Sequence, residues 1–140
     1  MVKALLDTCV ISELKRPTQH PNVIAWVSRL RPEETFISVI SLGEIAKGVH
    51  LLPEGARRRD LWLWFSSFEQ RFSQNVLAID RRVAHVWGEV EARTKTKGFA
   101  LASTDGLIAA TAIHHGLYVV TRNVKHFEPT SVLVINPWDS

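Results

Sequence analysis

Short apolar runs alternate with segments of helical periodicity along the whole of this 140-residue chain. Residues 2–6, 35–40, 76–79, 117–121 and 132–135 have the length and the branched or aromatic content of buried strands. The segments between them read as helices. One covers 10–16 and is closed by Pro17. The next opens with Pro21 at its first position and has Val23, Ala25, Trp26 and Leu30 as its apolar side. A third begins at Ser41 and runs to about Leu52, before Pro53. Strands joined by helices predict an α/β fold with a parallel sheet, because parallel neighbours need a long crossover connection.

The later helices carry more specific signals. Over 54–73, Leu61, Trp64, Phe65, Phe68 and Phe72 recur at intervals of three and four, which predicts one buried face. Trp62 and Leu63 fall off that stripe and either widen the core face or form an exposed patch for a partner. Asp80 caps a helix over 81–97, with Val83, Trp87 and Val90 on one side and Gly98 as its stop. Ser103 or Thr104 starts the next, which ends at Gly116 after His114 and His115. Ser41-Leu42-Gly43-Glu44 fits a capping box, with Glu44 reaching back to the Ser41 backbone.

Hydrophobic residues make up 46% and charged residues 22% of the chain, a balance that supports one globular domain over 1–140. No repeat or linker divides it. A single cysteine, Cys9, precludes an intrachain disulfide. Its flanks are apolar and no histidine adjoins it, so a buried small residue is expected there rather than a nucleophile. No apolar run approaches the roughly 20 residues that span a bilayer, and the N-terminus does not resemble a secretion signal. A soluble, cytoplasmic protein with no membrane association is expected. The net charge of +3 suits a polyanionic partner without requiring one. The clusters Arg57-Arg58-Arg59, Arg81-Arg82, and Arg93 with Lys95 and Lys97 are read equally well as solvated helix faces.

Three carboxylates stand where strands would hand over to helices. Asp7 ends the run Val2-Lys3-Ala4-Leu5-Leu6, Glu44 follows 35–40, and Asp105 opens Leu107-Ile108-Ala109-Ala110. In an open α/β sheet the C-terminal strand ends share one edge, where ligands bind. Acids gathered there repel one another unless a divalent cation neutralises them. Metal-dependent chemistry is therefore the leading expectation. The structural alternatives are a turn residue for Asp7, a capping residue for Glu44 and a favourable charge in a first helical turn for Asp105.

The surroundings of these acids are Leu5-Leu6-Asp7-Thr8, Ser41-Leu42-Gly43-Glu44-Ile45-Ala46-Lys47-Gly48, and Thr104-Asp105-Gly106-Leu107-Ile108-Ala109-Ala110-Thr111-Ala112. Val120-Thr121-Arg122-Asn123-Val124-Lys125-His126-Phe127 follows. In this order and spacing the chain resembles the PIN domain of VapC-type toxins, most closely the FitB-like branch, over essentially its whole length. The resemblance implies a three-layer sandwich, with a central five-stranded parallel sheet in the order 3-2-1-4-5 flanked by helices. It implies a magnesium- or manganese-dependent ribonuclease, a cognate antitoxin of the VapB or FitA kind, and a homodimer of toxin subunits. Asp7, Glu44 and Asp105 match the first three acidic positions of the family motif. Many relatives carry a fourth acid just before the phenylalanine; here His126 takes that place and Asn123 lies three residues earlier. Three formal negative charges then replace four.

Magnesium prefers oxygen ligands and keeps several waters, so two or three carboxylates suffice. Asp7 and Asp105 are expected as the main metal ligands. Glu44 completes the acidic cluster, through a water or as the acceptor of the attacking water's proton. Thr8, Thr104 and Thr121 can hold carboxylates or phosphate by hydrogen bonds. Asn123 offers an oxygen to a metal-bound water, and His126 binds a metal or faces solvent. The alternative expectation is a catalytically idle PIN-like module that acts through a partner in nucleic-acid binding or transcriptional regulation.

Overall fold

The computed structural model describes residues 2–139; Met1 and Ser140, the two ends of the span expected as one domain, lie outside them. Five parallel strands form one sheet in the order β3-β2-β1-β4-β5. They are β1 (Ala4–Leu6), β2 (Thr35–Ser38), β3 (Val76–Leu77), β4 (Tyr118–Val120) and β5 (Val134–Ile135). Around them lie α1 (Thr8–Lys15), α2 (Pro21–Ser28), α3 (Val39–His50), α4 (Ala56–Arg71), α5 (Arg81–Thr96), α6 (Ser103–His115) and the short α7 (Val124–Phe127).

The alternation of side chains along the central strands builds two apolar layers. Ala4, Leu6, Ile37 and Val120 point to one face, where they meet Val10 and Ile11 of α1, Val23 of α2 and Phe68 of α4. Leu5 and Val119 point to the other, against Ile108, Ala109 and Ala112 of α6 and Phe127 of α7. Both faces are covered, which is why these strands read as continuous apolar runs. On α4, Phe65 and Phe68 are buried, and Phe68 lies between Trp64 and Phe72 at ring separations of 5.2 and 4.9 Å. Trp62 and Leu63 are exposed, so they form a patch and do not widen the core.

The strands are shorter than expected, and the pairing explains it. β3 sits at the sheet edge and pairs Val76 with Ile37 and Leu77 with Ser38. β2 ends at Ser38, so Ala78 and Ile79 have no strand to follow. Val39 and Ile40, expected in β2, form the first turn of α3 because Ser38 is its cap: the Ser38 hydroxyl accepts from the Ile40 N–H at 3.0 Å. The capping box at Ser41 and Glu44 does not form; both lie inside the helix. The helix expected over 10–16 begins earlier, at Thr8, because Asp7 caps it. The caps at Asp80 and Gly116 stand as expected. Asp80 accepts from the Val83 N–H at 2.9 Å, and Gly116 takes the left-handed conformation (φ 68°) that a side chain would strain.

Candidate active site

The C-terminal edge of the sheet gathers most of the chosen polar residues. β1 runs out of apolar residues at Asp7, where the backbone turns into α1. The Asp7 carboxylate is buried and nonetheless well supplied with donors. Its Oδ1 accepts from the Thr8 N–H at 2.9 Å, and its Oδ2 from the Thr121 hydroxyl at 2.7 Å. Thr121 follows β4, the neighbour of β1, and its own oxygen accepts from the Asn123 N–H at 3.0 Å. On the opposite neighbour, α3 leaves β2 and carries Glu44 at its sixth residue. The Thr8 hydroxyl donates to Glu44 Oε1 at 2.6 Å and lies 3.1 Å from the hydroxyl of buried Ser41. One continuous run of hydrogen bonds thus joins Asn123, Thr121, Asp7, Thr8 and Glu44.

Cys9 adds a contact that sequence reading missed. Its sulfur lies 3.8 Å from Asp7 Oδ2 and 3.5 Å from the Thr121 hydroxyl, and it accepts from the Arg122 N–H at 3.4 Å. Burial, above the opposing hydrogen bonds, pushes the thiol pKa up. The group stays protonated near neutrality, which removes it as a nucleophile. Its place two residues after Asp7 on the first turn of α1 was the available signal.

Asp105 occupies the first turn of α6 and is only partly exposed. Its pKa is raised, first by burial, then by the negative charge of Asp7, with Glu44 adding to the same effect and His126 opposing it. Asp105 therefore feels both other acids. Its position is fixed by close packing of α6 on α5. A Cβ added at Gly106 would come within 2.6 Å of Glu91 Oε1 and 3.1 Å of Trp87 Nε1, so any larger residue there would have to displace the Glu91 side chain. His126 is largely exposed, with Nδ1 3.5 Å from Asp105 Oδ2, an ion pair when the ring is protonated.

Three expected roles take a different form. Among the described residues, no three His, Cys, Asp or Glu side chains gather closely enough to grip a metal ion. Glu44, expected to complete the acidic cluster through a water or as a proton acceptor, has its Oε1 engaged by the Thr8 hydroxyl. Asn123 reaches the cluster through its backbone N–H, and its side chain is exposed. Thr104 is exposed and makes no hydrogen bond to the acids among the described residues.

The donor set still fits a divalent cation. It is all oxygen, it concentrates negative charge at one sheet edge, and a hard ion such as Mg2+ takes only one or two carboxylates before water and substrate oxygens complete its shell.

Comparison with known proteins agrees with the fold. The PIN domain family matches residues 4–130. The toxin FitB of Neisseria gonorrhoeae is 38% identical over 138 residues, covering 96% of this chain and 97% of that protein. The VapC ribonuclease Y4jK of Sinorhizobium fredii is 33% identical over 143 residues, covering 96% and 97%. The crystal structure of FitAcB from Neisseria gonorrhoeae superposes with a TM-score of 0.93 at 38% identity, covering 98% of this chain and 99% of that one. With the family matching residues 4–130 and these relatives matching nearly its full length, the chain belongs to the PIN domain family, in the group that holds the toxin FitB and the VapC ribonucleases.

Proposed function

We propose that this chain is a single-domain, divalent-metal-dependent endoribonuclease that acts in the cytoplasm as the toxin of a toxin–antitoxin pair. The observation that carries the reading is the gathering of acids at one sheet edge: Thr8 bridges Asp7 and Glu44, and burial first, then the charges of Asp7 and Glu44, raises the proton affinity of Asp105. Three acids within electrostatic reach of one another make a site that a cation stabilises. The names of the relatives, a toxin and a ribonuclease, supply the reaction class.

In this mechanism Asp7 and Asp105 would hold Mg2+ or Mn2+. When bound, the ion supplies a water of lowered pKa and stabilises charge on the scissile phosphate. Glu44 accepts the proton of the attacking water, and the Thr8 hydroxyl fixes the carboxylate that does so. The Thr121 hydroxyl donates to Asp7 Oδ2 and restrains that carboxylate. Hydrolysis leaves a 5′-phosphate and a 3′-hydroxyl. The test is cleavage of RNA by the purified chain with and without Mg2+ or Mn2+. Full activity with the metals chelated overturns the metal assignment, and full activity in Asp7→Asn overturns the site.

A cleft on α3 and α4 supports a place for the antitoxin in this proposal. Val49, His50, Arg58, Trp62 and Leu63 line an apolar cleft of about 500 Å3 between the end of α3 and α4. Val49 also lines a second cleft that contains Arg57, Lys15, Thr8 and Glu44. A partner helix seated in the first can send its tail through the second to the acids, where an arginine would pair with them. The toxin also assembles as a homodimer in this proposal. Leu63→Asp is expected to abolish co-purification with the antitoxin while RNA cleavage by the free toxin persists. Unchanged co-purification would move the partner to another face.

A further inference from the structure

A different cleft opens on the far side of Asp105. It is about 250 Å3 in volume, and Phe99, Leu101, Asp105, Lys125, His126 and Pro129 line it. Phe99 is 52% exposed and belongs to neither apolar cluster. Leaving an aromatic ring in water forgoes the burial that drives such residues into cores. Its backbone is nonetheless held in place. The Phe99 N–H donates to the Thr94 carbonyl at 3.0 Å, the Gly98 N–H to the Lys95 carbonyl at 2.9 Å, and Gly98 takes a φ of 85° that turns the chain back. The ring therefore stands on an anchored turn between α5 and α6. Across the cleft, Lys125 is exposed and forms no salt bridge among the described residues.

An exposed ring, a free ammonium group and a carboxylate of the proposed reaction centre in one cleft match the chemistry of one unpaired nucleotide. We infer that this cleft is a nucleotide subsite, in which the base next to the scissile bond stacks on Phe99 and its phosphate pairs with Lys125. This rests on the ribonuclease reading and adds the residues that position the substrate. Stacking on an aromatic face accepts any base but needs that base out of a helix, so the subsite selects single-stranded or looped RNA over duplex. Lys125 offsets the repulsion between the phosphate and Asp105, and a phosphate contact of this kind weakens with salt.

The experiment measures binding of a short fluorescent single-stranded RNA without added metal, and cleavage of the same RNA with Mg2+. Phe99→Ala is expected to weaken binding and raise KM about tenfold, with kcat little changed. Phe99→Trp is expected to restore both. Lys125→Gln is expected to flatten the salt dependence of binding. An abasic nucleotide at the cleavage position should erase the difference between wild type and Phe99→Ala. Equal binding by wild type and Phe99→Ala, or no RNA bound by the wild-type chain, overturns the subsite. So does a Phe99→Ala loss that comes with a shift from dimer to monomer in sedimentation, which would assign the ring to a second copy of the chain. Binding that depends on Phe99 without any cleavage would sink the ribonuclease reading and leave the subsite standing, whereas cleavage indifferent to Phe99 would do the reverse.

Discussion

Asp7 and Asp105 are carboxylates on one sheet edge, held in opposite ways. Asp7 is buried, caps α1 and accepts from both the Thr8 N–H and the Thr121 hydroxyl. Asp105 is only partly exposed and, among the described residues, accepts no such donors and has the His126 ring as its ion-pair partner. The first acid is part of the fold's own hydrogen bonding. The second is a charge placed by helix packing at the mouth of a cleft. The proposed reaction asks the same of both, whereas the fold depends on them unequally, and substitutions at the two positions separate the two kinds of role.

The largest expected effect erases the contrast. Asp7→Asn and Asp105→Asn each remove a charge that the proposed reaction uses, and each is expected to lower kcat on the order of 10³-fold. Asparagine also caps helices, so Asp7→Asn should fold normally. Quantified cleavage of a defined RNA, with circular dichroism as the folding control, decides this. An Asp105→Asn enzyme near wild-type activity would reduce Asp105 to a helix-terminal charge.

A smaller effect tests the support around Asp7. Thr121→Val keeps the shape and removes the donor to Asp7 Oδ2. Activity should fall about 10- to 100-fold, as it does when groups orienting a metal ligand are lost. Thr104→Val, on the Asp105 side, removes a hydroxyl that touches neither acid and should leave the rate unchanged. Equal losses in the two variants would mean that Thr104 meets the substrate.

Stability should sort the acids more sharply than activity. Asp7→Ala deletes a helix cap and leaves the Thr8 N–H and the Thr121 hydroxyl without their acceptor, at a cost of about 1–2 kcal/mol. Asp105→Ala removes a group that the neighbouring charges disfavour and should leave the metal-free protein as stable or slightly more so. Thermal unfolding in the presence of a chelator compares them, and a destabilised Asp105→Ala would show that α6 depends on that charge.

Much of this arrangement was legible in local pattern. The turn at Asp7, the cap at Asp80 and the stop at Gly116 depend on a few adjacent residues, and they stand where the sequence puts them. The ends of the strands do not depend on adjacent residues. β3 stops where β2 stops, and that limit is set by Ser38, a residue of another strand. Ser38 and Ser41 both offer a hydroxyl at the start of α3, and the Glu44 three places after Ser41 favoured the wrong one. The deciding contact was out of sight: Thr8, 36 positions before Glu44, takes its carboxylate and leaves no group to complete a capping box. The strand order came from motif resemblance, and the three acids from their places beside short apolar runs, where strands hand over to helices. The separate settings of the acids, one wrapped in donors and one nearly bare, follow from tertiary contacts that no single segment contains.

The smallest effect concerns pH and sets Asp105 against a third acid, Glu13. Glu13 is buried beneath the turn between α1 and α2, and the His20 N–H donates to it at 2.8 Å. That bond lowers its pKa below the ordinary 4.5, whereas burial raises the pKa of Asp105 above 3.8. Linkage gives the two groups opposite signs. A lowered pKa means the unfolded chain holds the Glu13 proton more tightly. The stability it contributes is present above the ordinary value and is lost as pH falls through the lowered one. A raised pKa means the folded chain holds the Asp105 proton more tightly. Its contribution is full below 3.8 and disappears as pH rises through the raised value. In chelator-treated protein, Glu13→Gln should therefore fall further behind wild type as pH rises through the carboxylate range, while Asp105→Asn should gain on it. Parallel curves for the two variants would show that Asp105 is not burdened by Asp7 and Glu44 and would remove the electrostatic basis for a cation at this edge of the sheet.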